Sequence, residues 1–368
     1  MAEQPRAVVE GPRRRAGPKL RPGDRLVRSL GKRGAETAQG ERCMAILAEV
    51  DASRNRQSGA SRARQLAHVL FAVPAYPALA VLVLAILFVR PEMFTLPFAL
   101  VVLRQTAPVG LATLGQSIVM RGRSLDLSIG GVIALVNVVL ANRTVATQHW
   151  TIDVALALLI GLAVGAINGL LVARVRASAV IVTLGASIVL VGASFLFSGG
   201  APGGQITPMI KYLAVGRLGT FPIAALIWLA TSIVLALSLR TLVFGRTIAA
   251  IGSNYRAASL GGLPVSRTML VAHMLSGLAA GAAGLILSGY IGTGTMNLGA
   301  DLVLTSIAAC VLGGTVFGGG HGGVAGTIAG SLALVLLGTL LTSFGVPQPF
   351  KLVLQGLIVA TAAGLARR

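Results

Sequence analysis

The chain has 368 residues, of which 55% are hydrophobic and 11% are charged, and its formal net charge is +20 at pH 7. Soluble domains carry about 25% charged residues, so this composition excludes an ordinary soluble protein. It indicates an integral membrane protein instead.

Charged residues are concentrated at the N-terminal end. Residues 1–65 hold nearly half of the Lys and Arg residues and most of the acids. This segment combines Pro, Gly and like charges without apolar periodicity, so it cannot bury enough surface to offset the entropy of ordering. We therefore predict a disordered basic cytoplasmic tail over residues 1–65 and a transmembrane domain over residues 66–368. The acids of that second part are Glu92, Asp126, Asp153 and Asp301.

The charge of the tail suits a cytoplasmic segment that sets membrane orientation and contacts anionic lipid. Nucleic-acid binding is the alternative, but no aromatic residue precedes Phe71 to stack on bases. We expect lipid, and no nucleic acid, as a partner of the tail. A third interpretation is that translation starts near Met44, which would remove most of this segment.

Ten apolar segments follow the tail. They cover about residues 68–89, 98–120, 127–141, 152–173, 179–197, 219–239, 268–290, 302–316, 322–343 and 349–366. The third and the eighth are too short to cross a hydrocarbon core of about 30 Å as straight helices, so we expect them to be tilted, broken or re-entrant. The sequence predicts an all-α polytopic membrane protein with about ten transmembrane or partly re-entrant helices. Residues 161–185 and 330–356 share their Gly spacing, which an internal duplication would explain.

Loop arginines set the predicted orientation. With the tail in the cytoplasm, about twice as many Lys and Arg residues of the body fall on the cytoplasmic side as on the outer side. Cytoplasmic loops of membrane proteins carry such an excess. We therefore expect both termini to be cytoplasmic.

Sequence patterns for catalysis are missing. There is no phosphate-binding G-x-x-x-x-G-K-[ST] loop, and no Ser, His and acid constellation can be assembled. The cysteines Cys43 and Cys310 and four scattered histidines show no metal-ligand spacing. We expect no catalytic residue, no metal site and no cofactor bound by this chain. It also lacks the repeated intramembrane carboxylates of ion-coupled carriers, so an energy source on another subunit is expected.

The stretch "NYRAASLGG" in the polar loop 240–270 predicts a short helix. Asn254 is a favourable N-cap, and Gly261 or Gly262 would end the helix. A short capped helix that projects from the membrane can dock into a groove on a partner. An ordinary solvated loop is the alternative.

The stretch "RSLDLS" places Asp126 and Ser128 directly before the short third segment. There an acidic side chain can cap free amides and meet the positive end of a helix dipole. Arg121 or Arg123 would neutralise it. We favour a structural cap, with a gate in the pore, or a site for substrate or protons, as the alternative.

Polar residues interrupt several apolar segments. The candidates for a translocation path are Arg104, Gln105, Asn137, Asn168, Thr183 and Asn297. Such side chains could exchange hydrogen bonds with the hydroxyl groups of a solute. Hydrogen bonds between helices, which contribute about 1 kcal/mol each, are the alternative. Trp150 and Trp228 are predicted to anchor helices at the membrane interface.

Four stretches of the chain resemble the permease subunits of bacterial ABC importers for simple sugars, the ribose, arabinose and xylose group. They are "LDLSIGGVIAL" (125–135), "NGLLVARVRASAVIVTLGASIVLVG" (168–192), "GRTIAAIGSNYRAASLGGLPVSRTML" (245–270) and "IAACVLGGTVFGGGHGGVAGTIAG" (307–330). The stretch 245–270 is the most specific, because its G-R-x-I-x-A-I-G-x-N-x-x-A-A-x-L-x-G pattern is long and polar.

The resemblance implies a permease that moves a monosaccharide or a similar small polar solute into the cytoplasm across the bacterial inner membrane. It implies a second permease chain, identical or not, a cytoplasmic ABC ATPase that holds ATP and Mg²⁺, and an extracytoplasmic sugar-binding protein. The chain itself would be no enzyme. The residues that would couple it to the ATPase are Gly245, Arg246, Gly252, Asn254, Ala257, Ala258 and Gly262. A secondary transporter or channel without an ATPase is the alternative.

The chain also departs from the resembling family. Val303 and Thr305 stand where those permeases usually have Glu and Asp, and Arg123 and Ser124 replace two glycines. The family resemblance holds despite these changes. Because they alter the chemistry expected in the pore, the resemblance does not establish an ordinary pentose as the substrate.

Overall fold

A computed structural model describes residues 73–143 and 149–365 of the chain. The predicted tail over residues 1–65 lies outside the described residues. The helices of the described part are α1 (Ala75–Val89), α2 (Leu96–Arg121), α3 (Ile129–Arg143), α4 (Trp150–Arg174), α5 (Ala179–Ser198), α6 (Pro208–Val215), α7 (Ile223–Thr241), α8 (Val243–Ser253), α9 (Tyr255–Leu260), α10 (Val265–Ile291), α11 (Ala300–Leu312), α12 (Val324–Ser343) and α13 (Gln348–Leu365). A two-residue strand, β1 (Arg217–Leu218), pairs antiparallel with β2 (Phe221–Pro222) between α6 and α7.

The all-α polytopic prediction is confirmed. Each of the ten apolar segments contains one helix, and within the described residues six helices are long and apolar enough to cross a membrane: α2, α4, α5, α7, α10 and α12. The two segments predicted to be short form α3, with 15 residues, and α11, with 13 residues. At 1.5 Å per residue α11 is about 20 Å long, which is less than the hydrocarbon thickness of about 30 Å.

Helix α2 lies at the centre of the described part. It packs against α7, α10, α11 and α12, and its C-terminal two thirds are almost continuously buried. Trp228 of α7 is fully buried directly against Gly110 of α2, where a Cβ atom would overlap the indole ring. The prediction that Trp228 anchors the membrane interface is therefore wrong, because the bare backbone at Gly110 makes room for the whole ring. Trp150, at the start of α4, is 42% exposed.

Helices α4 and α10 approach each other through glycines. Gly161 of α4 faces Gly277 of α10, and a Cβ atom on either residue would collide with the carbonyl oxygen of the other. Gly165 and Gly281 extend this contact along both helices. Without side chains the two backbones can touch, which favours association in lipid through dispersion contacts. Glycines spaced four residues apart on both helices therefore serve close helix packing.

A Gly277→Val substitution should separate α4 from α10. The added side chain would meet the Gly161 backbone, and overpacking of this kind costs about 1–3 kcal/mol or more. We expect a clear fall in the fraction of monodisperse protein that remains after heating in detergent. Gly192→Val in α5 is the matched control, because no atom lies within 4 Å of a Cβ atom built there. Equal behaviour of the two variants would contradict the proposed glycine contact.

Candidate functional site

The predicted short helix exists as α9. The Ala257 amide donates a hydrogen bond of 3.0 Å to Asn254 Oδ1, so Asn254 acts as the N-cap from an extended backbone conformation. The helix ends at Gly261, and Gly262 follows with a φ of 75°, a left-handed conformation that glycine adopts without strain. The N-cap and the end of the helix therefore lie at the residues that the sequence predicted.

Helix α9 has one buried side and one free side. Ala258 is 6% exposed and packs with Ile251, Val265 and Met269 of the neighbouring helices. Leu260, in contrast, is 89% exposed, and Ala257 is also exposed. The sequence treated Ala257 and Ala258 alike, but only Ala257 lies on the free side of the helix.

Helix α8 connects α9 to the end of α2. Gly252 of α8 lies against the carbonyl of Arg121, the last residue of α2, and against the amide of Gly320. The same Arg121 carbonyl accepts a hydrogen bond of 2.9 Å from the Gly320 amide. Gly245 lies against the carbonyl of Leu239 at the end of α7. These backbone contacts leave no room for a side chain at either glycine, so α8 is closely fitted to α2 and α7.

The Asn254 cap can be tested by local hydrogen exchange. Asn254→Ala removes the acceptor of the Ala257 amide, and loss of such a cap costs about 1 kcal/mol. We expect amides of residues 255–261 to exchange about fivefold faster. Asn254→Asp retains an acceptor oxygen and should exchange like the unaltered protein. Unchanged exchange in Asn254→Ala would mean that packing alone holds the helix.

Asp126 lies in a buried, non-helical link between α2 and α3. Residues 124–128 have no regular structure, and Asp126 is 1% exposed. Its Oδ1 accepts hydrogen bonds from the amide (3.0 Å) and the hydroxyl (2.6 Å) of Ser128, and its Oδ2 accepts one of 2.7 Å from the Ser276 hydroxyl of α10. Both carboxylate oxygens are therefore occupied by protein donors.

The predicted neutralisation of Asp126 by arginine is wrong. Arg121 donates to the carbonyl of Gly322, and Arg123 donates to the carbonyl of Gly318. Within the described residues, neither arginine forms an ion pair. Both side chains bind the glycine-rich turn that follows α11, and Asp126 receives neutral hydrogen-bond donors instead.

Other buried side chains support the same link. Asn168 of α4 donates to the Ser128 hydroxyl at 2.9 Å, and the Leu127 amide donates to the Thr183 hydroxyl of α5 at 3.0 Å. The Ser124 hydroxyl lies 3.0 Å from Nε2 of His273, which is fully buried in α10. The sequence reasoning missed His273 and Ser276. Because the two residues are three positions apart in an apolar helix, both lie on one face of it, and this spacing is the sequence feature that could have identified them.

The translocation candidates fall into two groups. Asn168 and Thr183 bind the link described above. Asn137 donates to the Ser288 hydroxyl and the Thr293 carbonyl, both at 3.1 Å, and accepts from the Thr295 amide at 2.7 Å. These three residues are fully buried in contacts between elements, as the alternative interpretation expected. The other three candidates, Arg104, Gln105 and Asn297, line one cavity, which is described below.

A cavity of about 490 Å³ lies among α2, α10, α11 and α12. The polar residues that line it include Arg104, Gln105, Tyr290, Asn297 and Asp301. The Arg104 guanidinium lies 5.6 Å from the centre of the Tyr290 ring, and Gln105 Oε1 accepts a hydrogen bond of 3.1 Å from the Thr339 hydroxyl. Polar and apolar residues line the cavity in equal number, and its volume lies in the range of small-molecule sites.

Removal of the Asp126 carboxylate should destabilise the protein. Asp126→Ala leaves the Ser128 amide and the Ser276 hydroxyl without their acceptor, and each unpaired buried group costs about 1–3 kcal/mol. Asp126→Asn keeps one acceptor oxygen and should have an intermediate effect on the thermal midpoint in detergent. Ser194→Ala is the control, because its hydroxyl only binds the Leu190 carbonyl of its own helix. If Asp126→Ala behaves like this control, the link does not depend on the carboxylate.

The chain is similar to a described protein family and to several named permeases. Residues 98–363 match the protein family described as branched-chain amino acid transport system / permease component. The chain is 30% identical to the ribose import permease protein of Escherichia coli (strain K12) over 291 residues, which is 77% of this chain and 90% of that protein. It is 33% identical over 312 residues to the galactose/methyl galactoside import permease protein of the same strain (79% and 92%). It is 31% identical over 256 residues to the L-arabinose ABC transporter permease protein of Azospirillum brasilense (69% and 75%).

No solved structure matches the chain. The family match covers most of the described residues and includes α8 and α9, and the relatives carry the names of sugar permeases. The resemblance drawn from the four sequence stretches is therefore confirmed. The chain belongs to the permease-component family of bacterial transport systems, as a relative of the sugar-importer permeases.

Proposed function

We propose that this chain is the membrane-spanning permease of an ATP-driven importer that moves a monosaccharide, or a similar small polar solute, into the cytoplasm. The single observation that supports this most is α9, a capped helix with Ala257 and Leu260 on its free side, in the stretch most specific to the resembling permeases. The named relatives import ribose and galactose or methyl galactoside. For this chain we propose the same class of solute, a monosaccharide or a similar small polar molecule.

The proposal assigns ATP hydrolysis to a separate subunit. A cytoplasmic ABC ATPase would hold ATP and Mg²⁺, and α9 would lie in a groove on its surface. A second permease chain, identical or different, and an extracytoplasmic sugar-binding protein would complete the importer. The solute would bind weakly within the permease, because a soluble receptor supplies the specificity and tight binding would slow release.

The proposed orientation places α9 and both termini in the cytoplasm of a bacterial cell, with the permease in the inner membrane. Arg123, Arg176 and Arg256 support this orientation, because they line one cavity and therefore lie at one end of the helical body. An excess of arginine marks the cytoplasmic side of a membrane protein.

Coupling would pass from α9 through α8 to α2. Gly252 touches the Arg121 carbonyl, so a displacement of α8 must move the end of α2 or break this contact. Farther along α2, Arg104 and Gln105 line the cavity of about 490 Å³. Closely packed elements transmit small shifts because they have few alternative arrangements. Nucleotide-driven movement of the ATPase could thus change access to this cavity.

Asn297 is the polar residue that we assign to the solute path. It lines the same cavity as Gln105 and lies outside the buried link around Asp126. Both side chains carry amide groups, which can donate to and accept from sugar hydroxyls. Asp126, Ser128, Asn137, Asn168 and Thr183 are instead assigned structural roles.

An Ala257→Glu substitution tests the docking of α9. Ala257 is exposed, so the longer acidic side chain should leave the fold intact and obstruct a close protein contact. We expect loss of at least 90% of the ATPase stimulation by sugar-loaded binding protein in the reconstituted complex, on the order of a 1.4 kcal/mol effect or more. The same substitution at Ala201, an exposed residue of the loop after α5, is the matched control.

Two results would contradict the proposed function. The first is normal ATP-driven uptake by the Ala257→Glu variant. The second is full sugar uptake by the purified permease in vesicles that contain no ATPase, which would support a secondary transporter or channel.

A further inference from the structure

A second cavity, of about 640 Å³, lies between α9 and the ends of α2, α4 and α10. Three arginines line it: Arg123 after α2, Arg176 after α4 and Arg256 on α9. Neither Asp nor Glu is among its lining residues. The cavity therefore collects positive charge from three separate elements of the fold.

The charge of this cavity is not compensated within the described residues. Within the described residues, the guanidinium groups of Arg176 and Arg256 form no hydrogen bond and no ion pair. The ion pair found among these residues joins Arg90 to Glu92, neither of which lines the cavity. Arg123 uses its Nε to bind the Gly318 carbonyl, which leaves its terminal amino groups available. An anion in the cavity would relieve the mutual repulsion of these groups.

Backbone conformation also distinguishes two of these arginines. Arg123 has a φ of 63° and Arg176 a φ of 59°, and they are the non-glycine residues with positive φ in the described part of the chain. This region is unfavourable for a residue with a side chain, and such strain is found at ligand-binding positions. This chain thus has an arginine where the backbone favours glycine.

Guanidinium groups bind phosphate well, because their planar array of donors matches two phosphate oxygens at once. Ser124, Tyr255 and Ser259 add hydroxyl groups to the lining. Leu260, which is 89% exposed, adds an apolar rim. The lining thus suits a phosphate group carried by an organic molecule, which can be a lipid headgroup at the membrane surface or a soluble phosphate ester.

We propose that this cavity binds the phosphate group of an anionic lipid or a soluble phosphate ester, and that the bound phosphate holds α9 against the ends of α2 and α4. Arg256 would contact the phosphate from α9, and Arg123 and Arg176 would contact it from the opposite wall. Occupancy would then fix the position of the helix that couples the permease to its ATPase. Only this regulatory consequence rests on the proposed function.

The binding test uses the purified full chain without any ATPase. One arm adds dioleoyl phosphatidylglycerol to the protein in detergent and measures bound lipid by native mass spectrometry. The other arm titrates inorganic phosphate and glycerol 3-phosphate into the protein in phosphatidylcholine nanodiscs by calorimetry. Saturable binding in the first arm alone identifies a lipid, and binding in the second arm identifies a soluble phosphate.

Two variants report on the arginines. Arg123→Gly suits the positive φ but loses the hydrogen bond to the Gly318 carbonyl, so its thermal midpoint is measured together with its binding. Arg176→Gln removes a second guanidinium, which has no partner within the described residues. Each should weaken phosphate binding about tenfold, as expected for loss of a charge-assisted contact. Arg174→Gln is the matched control, because Arg174 is exposed at the same end of α4 but does not line the cavity. It should change the affinity less than about twofold.

The proposal is overturned if neither arm detects binding, or if Arg174→Gln weakens it as much as Arg176→Gln does. It is also overturned if the variants lose only ATPase association while phosphate binding is unchanged, which would assign the arginines to the ATPase interface. Ala257→Gln adds bulk to the free side of α9 without an acidic charge beside Arg256, so it should disturb ATPase docking and bind phosphate normally. A failure of ATPase coupling is therefore distinguishable from a failure of the phosphate site.

Discussion

Buried backbone without helical structure needs hydrogen-bond partners, and this requirement governs the centre of the molecule. The link between α2 and α3 passes through the packed helices, where unpaired amides and carbonyls cost several kcal/mol each. Asp126 binds the Ser128 amide, and Thr183 accepts from the Leu127 amide. Ser276 and His273 attach the same link to α10. The carboxylate that stands alone in an apolar region is thus part of the framework that lets the chain change direction inside the bundle.

Close backbone contacts provide the second constraint. The glycines of α4 and α10 bring these helices together, and Gly252 brings α8 against the end of α2. Such contacts tolerate little change in spacing, since the atoms concerned belong to the main chain and have no side chain that could adjust. The surface helix α9 is consequently connected to the interior by short, stiff steps. This arrangement suits the coupling proposed above, in which movement of the ATPase reaches the cavity of about 490 Å³ through α8 and α2.

The arginines at the proposed cytoplasmic end have two kinds of environment. Arg121 and Arg123 bind carbonyls of the glycine-rich turn after α11 and so help to fix that turn. Arg176 and Arg256 have no partner within the described residues and face the cavity beside α9. The residues that fix this turn and the proposed phosphate site are therefore adjacent, and a bound phosphate would act next to the contact that joins α8 to α2.

The sequence alone determined the elements that depend on local chemistry. Hydropathy located the ten apolar segments, and the Asn254 and Gly262 pattern located α9, because each signal is carried by residues close together in the chain. Only the tertiary structure decided which polar side chains meet. It placed Ser276 and His273 beside residues 124–128, some 150 positions away in the chain. It also buried Trp228 against Gly110 and brought Asn297 into one cavity with Arg104 and Gln105. Those outcomes depend on contacts between distant helices, whose geometry no local pattern encodes.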